Sequence, residues 1–142
     1  MYGYKILTSD MKNRYGVEFK IGETKTIEGD IKWGPNGNGF HFCKNLEDCF
    51  RYMDAFNEDT IIARVKGYGD LQKVDDEYNG YYEMYVCRNI EVIRVLDRDE
   101  IIKTVLKKNN IYAYRNFIST FPLTDEEIKL FSESMREGRT TL

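Results

Sequence analysis

Residues Asp75 to Tyr85, DDEYNGYYEMY, set four acids and four tyrosines around a single Asn-Gly pair. Carboxylates can exchange protons, neutralise a cation or accept hydrogen bonds from ligand hydroxyls, and phenol rings can stack on a flat ligand. Asn79-Gly80 is the strongest short-range signal for a two-residue hairpin, because both turn positions need positive φ. That turn predicts the register: Tyr78 faces Tyr81, Asp76 faces Glu83 and Val74 faces Tyr85. Alternation then puts Asp76, Tyr78, Tyr81, Glu83 and Tyr85 on one face, with two carboxylates directly opposed. Opposed like charges on a sheet cost up to about 1 kcal/mol. A shared proton, a cation or a hydroxyl-bearing ligand would offset that cost. On an open, wet face the pair would only repel weakly through water.

His41, the only histidine, lies in GFHFC beside Phe40. It reads either as a base near neutral pH in a cleft or as a half-buried structural side chain. The loop WGPNGNG (33–39) has backbone N–H groups that could cradle a phosphate. It lacks the G-K-[ST] ending and following helix of a P-loop, and reads as a surface loop. His41 and Cys43 sit two apart, and a zinc site there would need ligands from elsewhere. Cys43, Cys49 and Cys87 form an odd set without C-x-x-C spacing, as expected of ordinary reduced thiols in a cytoplasmic protein.

The elements that must position these residues fall into two halves. Up to Leu96 the chain is turn-punctuated and rich in β-branched and aromatic residues, and strands are expected at YKIL (4–7), VEFKI (17–21), TKTIEG (24–29), FHFC (40–43), TIIARVKG (60–67), the two hairpin arms and IEVIRVL (90–96). Phe40 and Phe42 should share one face of their strand, His41 and Cys43 the other. One helix interrupts the strands: Asn45 caps it, and Leu46, Cys49, Phe50 and Met53 make its apolar stripe. From Asp97 the period becomes helical. Asp97 caps a helix with Ile101, Ile102, Val105 and Leu106 inward. Tyr114, Phe117, Ile118 and Phe121 line a second, which Pro122 stops. Thr124 and Glu127 form a capping box for a third through Ile128, Phe131 and Met135, and the tail EGRTTL should fray. The fold class is therefore α+β: an antiparallel sheet over about 1–96 with one inserted helix, then a C-terminal segment of two to three helices. A length of 142 residues suits one domain, and 42% hydrophobic and 14% aromatic residues supply a core.

A net charge of −3 excludes a general attraction to nucleic acid or anionic lipid. A local basic patch cannot be located from such totals. No apolar run approaches the roughly 20 residues of a membrane span, and MYGYKILTSDMKNR lacks the apolar core of a signal peptide. No cofactor is implied.

At RYGVEFKIGETKTIEG, NGFHFCKNLEDCFRYMDAFNED and DDEYNGYYEMYVCRNIEVIRVLDRDEII the chain resembles a family of uncharacterised proteins from bacteria, their phages and some large DNA viruses. That resemblance covers nearly the whole chain and implies no activity; its company implies a role in virus–host conflict. YGYKIL, GFHFCKNLEDCFRYM and EMYVCRNIEVI also resemble, in order, segments of ADP-ribosyltransferases. That second resemblance implies Glu83 as the acid stabilising the oxocarbenium-like ribose of NAD, with Tyr81, Phe40 and Phe42 lining the nicotinamide site. The chain departs from it at the first strand, where Tyr4 and Lys5 stand in place of Arg or His, and it has no Ser-Thr-Ser element. Three functional classes follow: a non-enzymatic binder of a small nucleotide-like ligand, such as a phage protein sequestering a host defence signal; an enzyme using Glu83 on NAD; or a protein-interaction module with a tyrosine surface. Homo-oligomerisation is compatible with the first, and the sequence leaves it open.

Overall fold

A computed structural model describes residues 1–13, 15–34, 36–49, 60–74, 83–107, 117–118 and 123–140. Its strands are β1 (Tyr2–Thr8), β2 (Thr24–Thr26), β3 (Phe40–Cys43), β4 (Thr60–Tyr68), β5 (Gln72–Lys73), β6 (Met84–Cys87) and β7 (Asn89–Val95). They form one seven-stranded sheet in the order β2-β7-β4-β1-β3-β6-β5, antiparallel throughout. The helices are α1 (Leu46–Cys49), α2 (Arg98–Lys107) and α3 (Asp125–Thr140). Strands come first and helices later, so the fold is α+β.

Alternation along the strands splits the apolar residues between two cores. Ile62, Cys43 and Leu96 face α1, α2 and α3, packing with Leu46, Ile102, Val105 and Phe131. Phe40, Phe42, Val65, Cys87 and Ile90 point the other way, where Phe19, Met11 and Ile27 from the segment before β3 cover them. Phe19 meets Phe40 edge-on, with ring centroids 6.0 Å apart. The caps of α2 and α3 form as their sequences require, Asp97 Oδ1 accepting the Glu100 N–H at 2.8 Å and Thr124 and Glu127 exchanging two hydrogen bonds, whereas the Asn45 side-chain amide donates to Asp48 at the start of α1. Glu127 also binds Arg98 of α2, and that contact holds its carboxyl down at about pKa 2.

Four expectations need correction. VEFKI is not a strand; an isolated bridge links Ile21 to Val92 of the sheet, and another links Glu18 back to Lys12 within the same stretch of chain. Turn chemistry wins there: the Asn13 side chain accepts N–H bonds from Tyr15 and Val17, and Gly16 and Gly22 adopt positive φ. Ile128 is 40% exposed, so α3 buries Phe131 and turns Ile128 to solvent. The tail does not fray before Thr140, since α3 continues to it. The hairpin register also differs by one: Lys73 pairs with Tyr85, Gln72 with Val86, and the Val74 N–H donates to the Met84 carbonyl. Val74 thus opposes Met84 and is buried at 7% exposure. Burial of Val74 selects the register, because a one-residue slip reverses every side chain. The described part of the helix expected through Tyr114 and Phe121 is residues 117–118, which are helical, with Phe117 buried.

Two irregularities shape the sheet. β1 and β3 share a single paired position, Tyr4 with Cys43, and the Lys5 ammonium spans the same seam, donating to the His41 carbonyl at 2.6 Å. Between β4 and β7, a bulge at Ile93 of β7 leaves Val65 opposite Val92 but sets Arg64 opposite Arg94. An unbroken ladder would have placed Arg64 against Ile93; the extra residue re-aims Arg94 onto the face that Arg64 occupies.

Candidate functional site

Of the residues singled out in the sequence, those described are divided between the two faces of β3 and the corner beside α1. Asp76, Tyr78 and Tyr81 lie outside the described residues. Phe40 is in the core at 8% exposure, and Tyr85 stacks on buried Phe42, ring centroids 6.0 Å apart and 24° from parallel. His41 is half-buried on the opposite side of β3, across from Val86. Phe42, at 2% exposure, is buried on the same face as Phe40.

Glu83 sits at the corner where β3 runs into α1. Its carboxylate lies 3.2 Å from the Lys44 ammonium, and its backbone N–H donates to Asp48 Oδ2. Asp48 is buried at 6% exposure and also accepts from the Asn45 side-chain amide. Burial raises the Asp48 pKa, with the charges of Glu47 and Glu83 adding to the rise. This corner ties the start of β6 to α1 through hydrogen bonds, and Glu83 already has its counter-charge. Among the described residues no group of three His, Cys, Asp or Glu side chains is arranged to hold a metal ion.

A different constellation forms on the outer half of β1 and β4. Register sets Tyr4 beside Arg64 and Tyr2 beside Lys66, with Tyr68 two residues further along β4. Arg64 lies 4.6 Å from the Tyr4 ring centre and 5.5 Å from that of Tyr2; Lys66 lies 5.8 Å from Tyr2 and 5.9 Å from Tyr68. These are cation–π distances, worth about 0.5–1 kcal/mol each at exposed sites. The face is open, with Tyr2 at 54% and Tyr68 at 43% exposure. Its two inner cations differ from three arginines elsewhere in the fold. Arg94 binds Glu100, Arg88 binds Asp70 and Arg98 binds Glu127. Arg64 and Lys66 have no carboxylate within ion-pair distance among the described residues; their partners are rings. The bulge sharpens this by setting Arg94 across from Arg64.

Sequence reasoning passed over this face, although a signal was present. Tyr2 and Tyr4, then Arg64, Lys66 and Tyr68, recur at every second position, the period of one strand face. What the sequence lacked was the pairing of β1 with β4 across more than fifty intervening residues.

A family model, "Domain of unknown function (DUF7666)", matches residues 1–104. The chain belongs to that family. The matched stretch carries all seven strands, α1 and most of α2, and so includes the whole tyrosine–cation face. Searches of curated proteins and of solved structures return no match. No described helix is long and apolar enough to cross a membrane.

Proposed function

We propose that this protein binds a nucleotide-like ligand on the β1–β4 face, without catalysing a reaction on it. The supporting observation is that Arg64 and Lys66, in an acidic chain, are bracketed by three tyrosines and left without carboxylate partners among the described residues. Phosphate is the anion that such cations recognise, and a base is the flat ring that phenols and guanidinium planes stack on. Binding exchanges water on an exposed cation for a phosphate oxygen while the rings keep the cation oriented. The resemblance to bacterial, phage and large-DNA-virus proteins makes sequestration of a host signalling nucleotide in the cytoplasm the role we favour. A second copy of the chain closing over the face would give a small ligand the enclosure that an open sheet lacks.

The test is a thermal-shift series with purine and pyrimidine nucleoside mono- and diphosphates against inorganic phosphate. A ligand present at a hundred times its Kd stabilises the fold by about 2.7 kcal/mol. Nucleotides should raise the melting temperature, phosphate alone should raise it less, and Arg64→Gln with Lys66→Gln should remove the effect. Unchanged melting with every nucleotide at millimolar concentration would end the proposal.

A further inference from the structure

We infer that the nucleotides taken by this face are successive units of a single-stranded nucleic acid, with rings on the three tyrosines and phosphates on Arg64 and Lys66. The inference rests on the nucleotide reading above and goes further by naming the polymer. Its basis is the repetition along the face. Tyr4 with Arg64 forms one row across β1 and β4, Tyr2 with Lys66 forms the next, and Tyr68 extends β4 one row beyond. Rows two residues apart on a strand are about 6.8 Å apart, so the three rings span about 14 Å. A mononucleotide needs one ring and one cation. Here ring and cation occur together in two consecutive rows, and a third ring follows.

The surroundings fit an extended strand better than a duplex. Three tyrosine rings offer stacking surface, which bases use only when they are unstacked from one another. The rings of the middle and outer rows, Tyr2 and Tyr68, are exposed, while Tyr4 at the inner end of the ladder is half-buried against the helix-side core, so a chain would approach from the Tyr68 end. At the Tyr68 row, Asn89 opposes the ring but spends its amide on the Tyr68 carbonyl and its oxygen on Thr26. That row therefore contributes stacking without base-edge readout, and binding should be tolerant of sequence. The net charge of −3 repels a polyanion elsewhere, which confines contact to this patch and keeps it weak at physiological salt.

Fluorescence anisotropy with a labelled twelve-residue oligothymidylate tests this, alongside a three-residue oligomer, thymidine monophosphate as competitor and a duplex of the same length. The inference expects the twelve-mer to bind at least tenfold more tightly than the three-mer, the monophosphate to compete poorly and the duplex to bind weakly. Two neutralised phosphates on a single strand give a salt slope of about −1.4, hence about a sevenfold loss of affinity from 50 to 200 mM salt. Tyr68→Ala, an exposed position, should weaken binding fivefold or more, and Arg64→Gln with Lys66→Gln should weaken it further with an unchanged circular dichroism spectrum. If the monophosphate binds as tightly as the twelve-mer, the polymer inference falls and the nucleotide reading stands. If the duplex binds as well as the single strand, or Tyr68→Ala changes nothing, stacking is not the mode and the inference falls. If neither oligomer nor monophosphate binds, both readings fall.

Discussion

Replacing Lys5 with methionine should stabilise this protein at pH 7 and stop doing so at pH 10.5. Lys5 lies on β1 beside the thinly paired seam with β3, and its Nζ donates to the His41 carbonyl. The neighbours that act on its charge are the thiols of Cys43, Cys87 and Cys49, all buried, and among the described residues no carboxylate pairs with it. Burial therefore pushes its pKa from 10.5 down to about 8. That drop represents on the order of 3 kcal/mol spent on keeping the ammonium charged inside the fold at pH 7. Methionine matches the chain length, fills the same space and carries no charge. It forfeits the bond to His41, worth about 1 kcal/mol. The expected net gain at pH 7 is about 2 kcal/mol.

The sign of the pH dependence follows from the proton count. Below pH 8 the folded and unfolded chains both carry the Lys5 proton, and the full cost applies. Between about 8 and 10.5 the folded chain has released it while the unfolded chain keeps it, so wild-type stability rises with pH. The methionine variant has no such rise. Its advantage should shrink through that window and turn into a deficit of about 1 kcal/mol, the missing hydrogen bond. Urea melts of both proteins at pH 7, 8.5 and 10.5, followed by circular dichroism, measure the difference directly, and the other titrating groups cancel in it. A stability difference that stays constant across the three pH values, or a variant less stable at pH 7, would show that the amine is solvated and the reasoning wrong.

Two further perturbations probe the packing and the corner. A Cβ added at Gly67 would lie 2.9 Å from the Cys87 sulfur and would drive into the Phe42 ring, so Gly67→Ala should cost about 1–3 kcal/mol; adding Phe42→Leu should recover part of that loss in a double-mutant cycle, and strictly additive losses would rule out the clash. Asp48→Ala should cost about 1–3 kcal/mol at pH 7 by stranding the Glu83 N–H and the Asn45 amide, whereas Asp48→Asn keeps an acceptor, sheds a poorly solvated charge and should be near neutral; equal melts for the two would mean those bonds hold nothing.

Local signals carried much of the fold into the sequence. The caps at Asp97 and at Thr124 with Glu127, the change from period two to a helical period near residue 97, and the opposite facing of Phe40 and Cys43 each depend on a few adjacent residues, and each is present in the structure. The failures share a cause of longer range. The register of β5 against β6 was read from the turn alone, but the ladder settles where Val74 is buried. The stretch around Phe19 has a strand's composition, yet Asn13 and two positive-φ glycines bend it into a cover for the second core.

The same distinction explains why the acid–tyrosine segment drew notice and the tyrosine–cation face did not. Crowding of like residues within eleven positions is visible in one line of text. Complementarity between residues 2–4 and 64–68 exists only once β1 lies against β4, and its sharpest detail, Arg94 turned to face Arg64, comes from one extra residue in β7. The chemistry also inverts. At the corner, Glu83 has Lys44 beside it, and Asp48 binds a backbone N–H and an amide, so those acids are used in holding β6 to α1. On the face, Arg64 and Lys66 lie against rings and have no carboxylate within ion-pair distance among the described residues, although Glu91 of β7 stands across from Lys66. A ring orients a cation without cancelling its charge, which leaves that charge available to an incoming anion. Charge that exposed rings hold in place, without an ion-paired carboxylate among the described residues, is therefore a stronger mark of a binding surface in this protein than the Glu83 carboxylate, which Lys44 already pairs.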